Sequence, residues 1–203
     1  MHKNIVILLL TSIVIFGLSG CVIGDRIGQQ GSDIHTSAGN IDVNDNNDAG
    51  VLTAYNGNIS IGHHAIVKSV EVENGNITID DFSRATSLET TNGSIVTGEN
   101  VLISGNVQTM NGQIKIETGT EIGKNIVTTT GDIFLAQGTV VDGDIVFEKP
   151  GYLLSHFETH VPTLKIGKEV IIKGKIHLYR PIELKLDQSI DSQKIVRHYN
   201  DHK

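Results

Sequence analysis

Sulfur-containing and aromatic side chains are scarce in this sequence. Its 203 residues include one cysteine, no tryptophan, four tyrosines, five phenylalanines and only three prolines. The single cysteine, Cys21, excludes an intramolecular disulfide. A core without large aromatic side chains must be built from aliphatic ones. No segment beyond the first twenty residues shows a sustained helical period, which argues against an α-helical fold.

Basic residues are also fewer than acidic ones. The chain has 16 basic and 23 acidic residues, a formal net charge of −7. Loss of the first twenty residues would remove only one charge, that of Lys3, and lower the balance to −8. This sign argues against nucleic acid as a partner, because binding to phosphates depends on clustered lysine and arginine. It also argues against electrostatic attachment to anionic lipid headgroups.

The first twenty residues have the order of a secretory signal. Lys3 precedes an apolar run from Ile5 to Phe16, and small residues follow as far as Gly20. A basic start, a short apolar core and a small-residue end predict a cleaved signal peptide over residues 1–20. The apolar run is shorter than the roughly 20 residues that a membrane-spanning helix needs.

The end of this segment, Leu18-Ser19-Gly20-Cys21, resembles the bacterial lipobox. The resemblance implies cleavage between Gly20 and Cys21 and a diacylglycerol on the thiol of Cys21, with the membrane as the partner of the lipid. Acylation of Cys21 would leave no free thiol for redox chemistry. Residues 21–30 would then form a short linker after the lipidated cysteine. Val22 stands where an aspartate would signal retention in the inner membrane, which favours the outer membrane in a Gram-negative host.

A short phrase that begins with a small turn residue recurs along the rest of the chain. In order, its five positions are a glycine, a residue that is usually polar, an isoleucine, any residue, and an apolar or β-branched residue. The first glycines of the six copies lie 18, 18, 18, 19 and 19 residues apart. They are Gly39, Gly57, Gly75, Gly93, Gly112 and Gly131.

Each repeat also contains two further apolar sites. An aliphatic residue lies five positions before each glycine, and a small or β-branched residue follows it after two positions. A looser third site falls between repeats, at Ile66-Val67, Ala85, Leu102-Ile103, Ile122 and Val140. One repeat therefore predicts three short strands with period-two alternation, separated by turns.

The repeats predict an all-β fold, a single-stranded parallel β-solenoid with about 18 residues per coil. We place it at residues 31–188, with an insertion near 148–165 and a polar C-terminal tail at 189–203. We expect a right-handed coil, because left-handed hexapeptide coils need an aliphatic residue at every sixth position. The series Ile61, Val67, Glu73 breaks that rule.

Four successive glycines are preceded by asparagine: Asn56-Gly57, Asn74-Gly75, Asn92-Gly93 and Asn111-Gly112. Asn-Gly tolerates positive φ at both positions, so we expect it to form the bend between two sides of a coil. Stacked asparagines can form a ladder of side-chain hydrogen bonds along the axis. The alternative is an exposed row of amides that binds a repetitive ligand such as a glycan.

The repeated pattern aliphatic-x-Thr-x-Asn-Gly-x-Ile-x-Ile resembles the β-helical bactofilins and the adhesin-like domains of bacterial envelope proteins. The resemblance spans residues 31–186. It implies a scaffold that polymerises through its terminal coils, and hence self-association or contact with an envelope polymer, without catalysis or a cofactor. The predicted function is therefore a lipid-anchored structural or adhesive protein of the cell envelope.

The alternative function is a glycan-binding or small carbohydrate-active lipoprotein. Catalysis would need convergent carboxylates. Asp142 and Asp144 share one face of a strand, whereas the adjacent Asp80 and Asp81 point to opposite faces. The scarcity of aromatic residues argues against sugar stacking.

Two groups of residues suggest metal ligands. Residues 42–48 alternate oxygen donors like the start of a calcium loop but lack its glycine and its final glutamate. Histidines occur in close pairs, but none lies in a predicted helix that would bring both rings to one metal. We expect these histidines to be exposed to solvent. The pairs are His63-His64, His156 with His160, and His198 with His202.

Overall fold

The chain forms a β-solenoid, as the repeats predict. The computed structural model describes residues 26–27, 31–151 and 160–199. Within them, 23 short strands form three parallel sheets. The chain passes from the first sheet to the second, and in five coils it adds a strand of the third sheet before it returns. The coils number about eight and repeat roughly every 19 residues. The right-handed sense stays a prediction. The signal peptide, Gly20 and Cys21 lie outside the described residues.

The first sheet, sheet I, has nine strands. They are β2 (Ile34–Thr36), β4 (Leu52–Asn56), β6 (Ser69–Asn74), β9 (Ser87–Asn92), β12 (Val107–Asn111), β15 (Ile126–Thr128), β18 (Ile145–Phe147), β21 (Ile176–Leu178) and β23 (Ile195–Arg197).

Sheet II also has nine strands and begins after the glycine corner. They are β1 (Arg26–Ile27), β3 (Ile41–Val43), β5 (Ile59–Ile61), β7 (Ile77–Ile79), β10 (Ile95–Thr97), β13 (Ile114–Ile116), β16 (Ile133–Leu135), β19 (Thr163–Ile166) and β22 (Glu183–Leu186).

Sheet III is shorter, with five two-residue strands. They are β8 (Arg84–Ala85), β11 (Leu102–Ile103), β14 (Glu121–Ile122), β17 (Val140–Val141) and β20 (Ile171–Ile172). In β17 the inward residue is Val141, which is fully buried, whereas Val140 is partly exposed. Val140 was the predicted inward residue. Both residues are valines, so the residue types alone could not show which of the two points into the core.

The core is a set of aliphatic columns that run along the axis. In sheet II, the isoleucines that follow the glycines stack in register, for example Ile59 on Ile41 and Ile77 on Ile59. In sheet I, Leu52, Val70 and Leu88 form the matching column. All are fully buried. One coil contributes only a few such side chains, so burial depends on the neighbouring coils.

The insertion lies between sheets I and II. Adjacent strands of sheet II are normally 18 or 19 residues apart, but 31 residues separate the paired residues Ile133 and Leu164. Asp132 holds the base of the insertion, because its carboxylate accepts a 2.7 Å hydrogen bond from the Thr163 N–H and lies 3.0 Å from His160 Nε2. Arg180 donates to the carbonyl oxygens of Thr129 and His160.

Residues beyond 188 extend the solenoid instead of forming only a polar tail. A 3₁₀ turn, Ser192–Lys194, leads into β23, which pairs in parallel with β21. Ile195 and Tyr199 pack against the core. The expected tail at 189–203 thus contributes a strand as far as Arg197. The polar composition of this segment gave no indication of the strand, which lies at the edge of sheet I.

The glycine corner gives the first prediction. A Cβ at Gly93 would lie 1.8 Å from the carbonyl oxygen of Gly75, which is backbone of the preceding coil. We expect Gly93→Ala to reduce the free energy of unfolding by about 3 kcal/mol, the upper range for overpacking. Gly151→Ala is the matched control, because nothing lies within 4 Å of its Cβ position. Urea denaturation of both variants measures the difference, and equal stability would contradict the steric argument.

Candidate functional site

The four Asn-Gly pairs form a continuous column at the corner between sheets I and II. The Nδ2 of Asn74 donates to Asn56 Oδ1 at 3.1 Å, Asn92 to Asn74 at 2.9 Å, and Asn111 to Asn92 at 2.8 Å. The side chain of Thr130 ends the series, where its hydroxyl donates to Asn111 Oδ1 at 2.6 Å. These amides are therefore engaged with one another along the axis.

The corner differs in its backbone from the turn expected of Asn-Gly. The asparagines end strands and do not have positive φ, whereas Gly57, Gly75 and Gly112 have φ between 144° and 153°. A two-residue turn with positive φ at both positions suits an antiparallel hairpin. Here the chain turns between two parallel sheets, and in three of the four pairs only the glycine has a positive φ.

Close approach of the backbone explains the glycines. A Cβ at Gly57, Gly75, Gly93 or Gly112 would lie 1.8 to 2.1 Å from the carbonyl oxygen of the glycine one coil earlier. Two of these carbonyls also accept bonds from buried hydroxyls: Thr90 Oγ1 donates to Gly75 at 3.0 Å, and Thr109 Oγ1 to Gly93 at 2.9 Å. These bonds give the buried hydroxyl groups of Thr90 and Thr109 a hydrogen-bond partner in the core.

A second column of side chains, missed in the sequence analysis, follows the glycines. Asn40 Oδ1 accepts from the Asn58 N–H at 2.9 Å, Asn58 Oδ1 from Asn76 at 2.9 Å, and Asn76 Oδ1 from Ser94 at 2.8 Å. Each side chain thus binds the backbone of the next coil. The recurrent asparagine directly after three of the glycines was the available signal.

The candidate carboxylates serve similar structural contacts. Asp81 Oδ1 accepts from the Glu99 N–H at 2.7 Å, and Asp144 Oδ1 from the Lys175 N–H at 2.7 Å. Asp142 pairs with Lys173 at 2.7 Å. Asp80 lies 3.8 Å from the ring of His63. Asp142 and Asp144 therefore bind different partners on the next coil.

Among the residues that the structure describes, one carboxyl group has a clearly shifted pKa. Hydrogen bonds from Ser189, the backbone N–H first and then the hydroxyl, hold the pKa of Asp187 below its usual value. The N–H bond is 3.0 Å long and closes a turn of two residues after β22. A lowered pKa makes this carboxylate a weaker base, so the contact favours a structural turn over acid–base chemistry.

The residues that resemble the start of a calcium loop are spread over a strand and a corner. Asp42 lies on the outer face of β3, Asp45 Oδ1 accepts from the His63 N–H at 2.9 Å, and Asp48 forms a parallel bridge with Ile66. Across residues 31–151 and 160–199, no group of three or more His, Cys, Asp or Glu side chains is arranged to hold a metal ion.

The histidines have neighbours other than those that the sequence spacing indicated. His64 stacks on Phe82 with ring centroids 5.2 Å apart. His198 lies 2.9 Å from His177, nitrogen to nitrogen, and stacks on Tyr179 at 4.2 Å. His177 and His198 are 21 residues apart, about one coil, so coil spacing was the signal for this contact. His156 and His202 lie outside the described residues.

The outer face of sheet I has a shallow groove in its first coils. Its lining includes His35, Thr53, Tyr55, Glu71 and Glu89. Tyr55 is 58% exposed, and Glu71 pairs in register with Glu89. An exposed aromatic ring beside hydrogen-bonding side chains is an arrangement that can hold a polar ligand. This groove was not predicted, because residues 18 positions apart in the sequence become neighbours only after the chain coils.

Comparison with known proteins finds no matching protein-family model, no matching curated protein and no matching solved structure. In the part of the chain that the structure describes, no helix has the length and apolar character needed to cross a membrane.

The asparagine ladder gives the second prediction. Asn74 donates one ladder bond and accepts another. We expect Asn74→Ala to cost about 1 to 2 kcal/mol of stability, since a typical net hydrogen bond contributes about 1 kcal/mol. The control is Asn44→Ala, an exposed asparagine outside the ladder. Denaturant unfolding measures both variants, and a neutral Asn74→Ala would show that the ladder does not stabilise the solenoid.

Proposed function

We propose that this chain is a lipid-anchored protein of the bacterial cell envelope whose solenoid has a structural or adhesive role and performs no catalysis. One observation carries the non-catalytic part: the aspartates considered for catalysis and the amides of the asparagine columns are engaged in contacts between coils. Asp81, Asn58, Asn74 and Asp144 each bind the next coil. The anchor rests on the lipobox-like segment that ends in Cys21.

The first test of this proposal concerns the anchor. Expression of the full chain in a bacterium fed an alkyne-labelled fatty acid should give a labelled, membrane-bound protein. Cys21→Ala should remove the label and release the protein from the membrane fraction, because the acyl chains supply the affinity for the bilayer. Labelling that persists in Cys21→Ala would contradict the anchor. In a Gram-negative host, we expect the wild-type protein in the outer membrane.

The distribution of charge supports self-association through the ends of the rod. The first described coils, residues 26–27 and 31–50, have four acidic residues and one basic residue, whereas residues 163–199 have eight basic and four acidic residues. The two ends of the described solenoid are therefore opposite in charge. Both also present strand edges, which are sites for pairing with another chain. Opposite charges favour contact between the first coil of one copy and the last coil of another.

Light scattering tests this self-association on residues 22–203. We expect a mass that grows with protein concentration and decreases with salt, because salt screens the attraction between the ends. Lys173→Glu and Lys185→Glu together should reduce the growth, with Lys115→Glu in the middle of sheet II as the matched control. A monomer at every concentration would reject assembly as the function of the solenoid.

A second candidate function, glycan binding, is favoured by the groove on sheet I. Tyr55 offers an apolar ring, and Thr53, Glu71 and Glu73 offer hydrogen-bonding groups beside it. Several coils contribute to the groove, so an extended ligand could run along the axis. This function is compatible with the same anchor and needs no catalytic group.

A further inference from the structure

We propose that Asn111 is a site of selective spontaneous deamidation, and that the other three Asn-Gly pairs are protected by the fold. The reactants are the Asn111 side chain, the backbone nitrogen of Gly112 and water. The product is aspartate or isoaspartate at position 111. This inference is independent of the proposed function.

The chemistry is intrinsic to Asn-Gly sequences. The nitrogen of the glycine attacks the asparagine Cγ, and the proton it loses leaves with the side-chain amide as ammonia. Water then opens the resulting succinimide at either of its two carbonyl groups. Glycine is the favourable second residue because it has no Cβ to obstruct the attack. All four Asn-Gly pairs of this chain have this reactivity when the chain is unfolded.

In three of the pairs, the glycine nitrogen is engaged in the fold. The Gly57 N–H donates to the carbonyl oxygen of Asn74 at 3.1 Å, Gly75 to Asn92 at 3.0 Å, and Gly93 to Asn111 at 2.8 Å. An N–H that donates to the next coil has to give up this bond before its nitrogen can turn toward its own asparagine. Each of these nucleophiles is therefore held away from its target.

Gly112 breaks this series. Its N–H donates to no carbonyl of the described residues. The reason lies in the next coil, where β15 ends at Thr128 and the chain bends through Thr129 and Thr130. Thr130 stands at the position of the next asparagine, and its backbone does not continue the strand as Asn74 and Asn92 do. The nitrogen of Gly112 is thus available for attack.

The carbonyl group of Asn111 is also polarised. The Thr130 hydroxyl donates to Asn111 Oδ1 at 2.6 Å, whereas the other three ladder oxygens accept from an amide at 2.8 to 3.1 Å. A short hydrogen bond from a hydroxyl stabilises the negative charge that develops on this oxygen during attack. Both features increase the reactivity of the same pair.

Deamidation at this position would weaken the solenoid. Asn111 Nδ2 donates to Asn92 Oδ1 at 2.8 Å. A carboxylate at 111 cannot donate, and it would place two acceptor oxygens against each other. Isoaspartate would also add a backbone atom beside the corner where a Cβ at Gly131 would lie 1.6 Å from the Gly112 carbonyl oxygen. We therefore expect the modified chain to open first between these coils.

The experiment is a time course of the purified chain in mildly alkaline buffer at physiological temperature, with peptide mass spectrometry at all four pairs. We expect Asn111 to convert at least tenfold faster than Asn56, Asn74 and Asn92 in the native chain. In urea, the four rates should become similar. Equal rates in the native chain, or a faster rate at another pair, would overturn the proposal.

A variant separates the two contributions. Thr130→Val keeps the shape of the side chain but removes the hydroxyl, and we expect it to slow the conversion of Asn111 severalfold. Thr130→Ser retains the donor and is the matched control. Asn56, Asn74 and Asn92 in the same molecule report whether the variant is folded, because unfolding would raise all of their rates together. An unchanged Asn111 rate in a folded Thr130→Val would contradict the role of the hydroxyl.

Discussion

At one corner of the solenoid, the carbonyl oxygen of each glycine lies where the Cβ of the glycine in the next coil would be. From Gly57 to Gly131 these distances are between 1.6 and 2.1 Å. The backbones of successive coils therefore meet without side chains between them, which sets the register of both long sheets. The in-register stacks of Ile59 on Ile41 and of Asn74 on Asn56 depend on this contact. The rest of the fold follows from it.

Polar side chains reinforce the same axial direction. Amides and carboxylates at the corners accept hydrogen bonds from the backbone of the next coil, as Asn58 and Asp81 do. A coil on its own would leave these groups unpaired and its aliphatic side chains exposed, so stability has to come from neighbours. These polar residues therefore hold successive coils together in the same direction as the aliphatic columns.

Much of the fold could be predicted from the sequence, because a coil repeats its chemistry every 18 or 19 residues. The isoleucine after each glycine and the aliphatic residue five positions before it identified two inward columns. Contacts that depend on variable coil length were harder to predict. His177 and His198 meet across 21 residues, and the insertion before Thr163 interrupts the period. Sequence spacing also could not distinguish a two-residue turn from a glycine corner, in which Asn56 does not have a positive φ.

The central claim is that each coil is stable only because its neighbours stack on it. Amide hydrogen exchange of the native protein, measured peptide by peptide, tests this most directly. We expect protection from exchange to be highest in the coils from Leu52 to Ile122 and to decrease toward β2 and β23. The amides of the central coils should lose their protection together, in one cooperative opening. Independent exchange of each coil, with similar protection at the ends and in the middle, would contradict it.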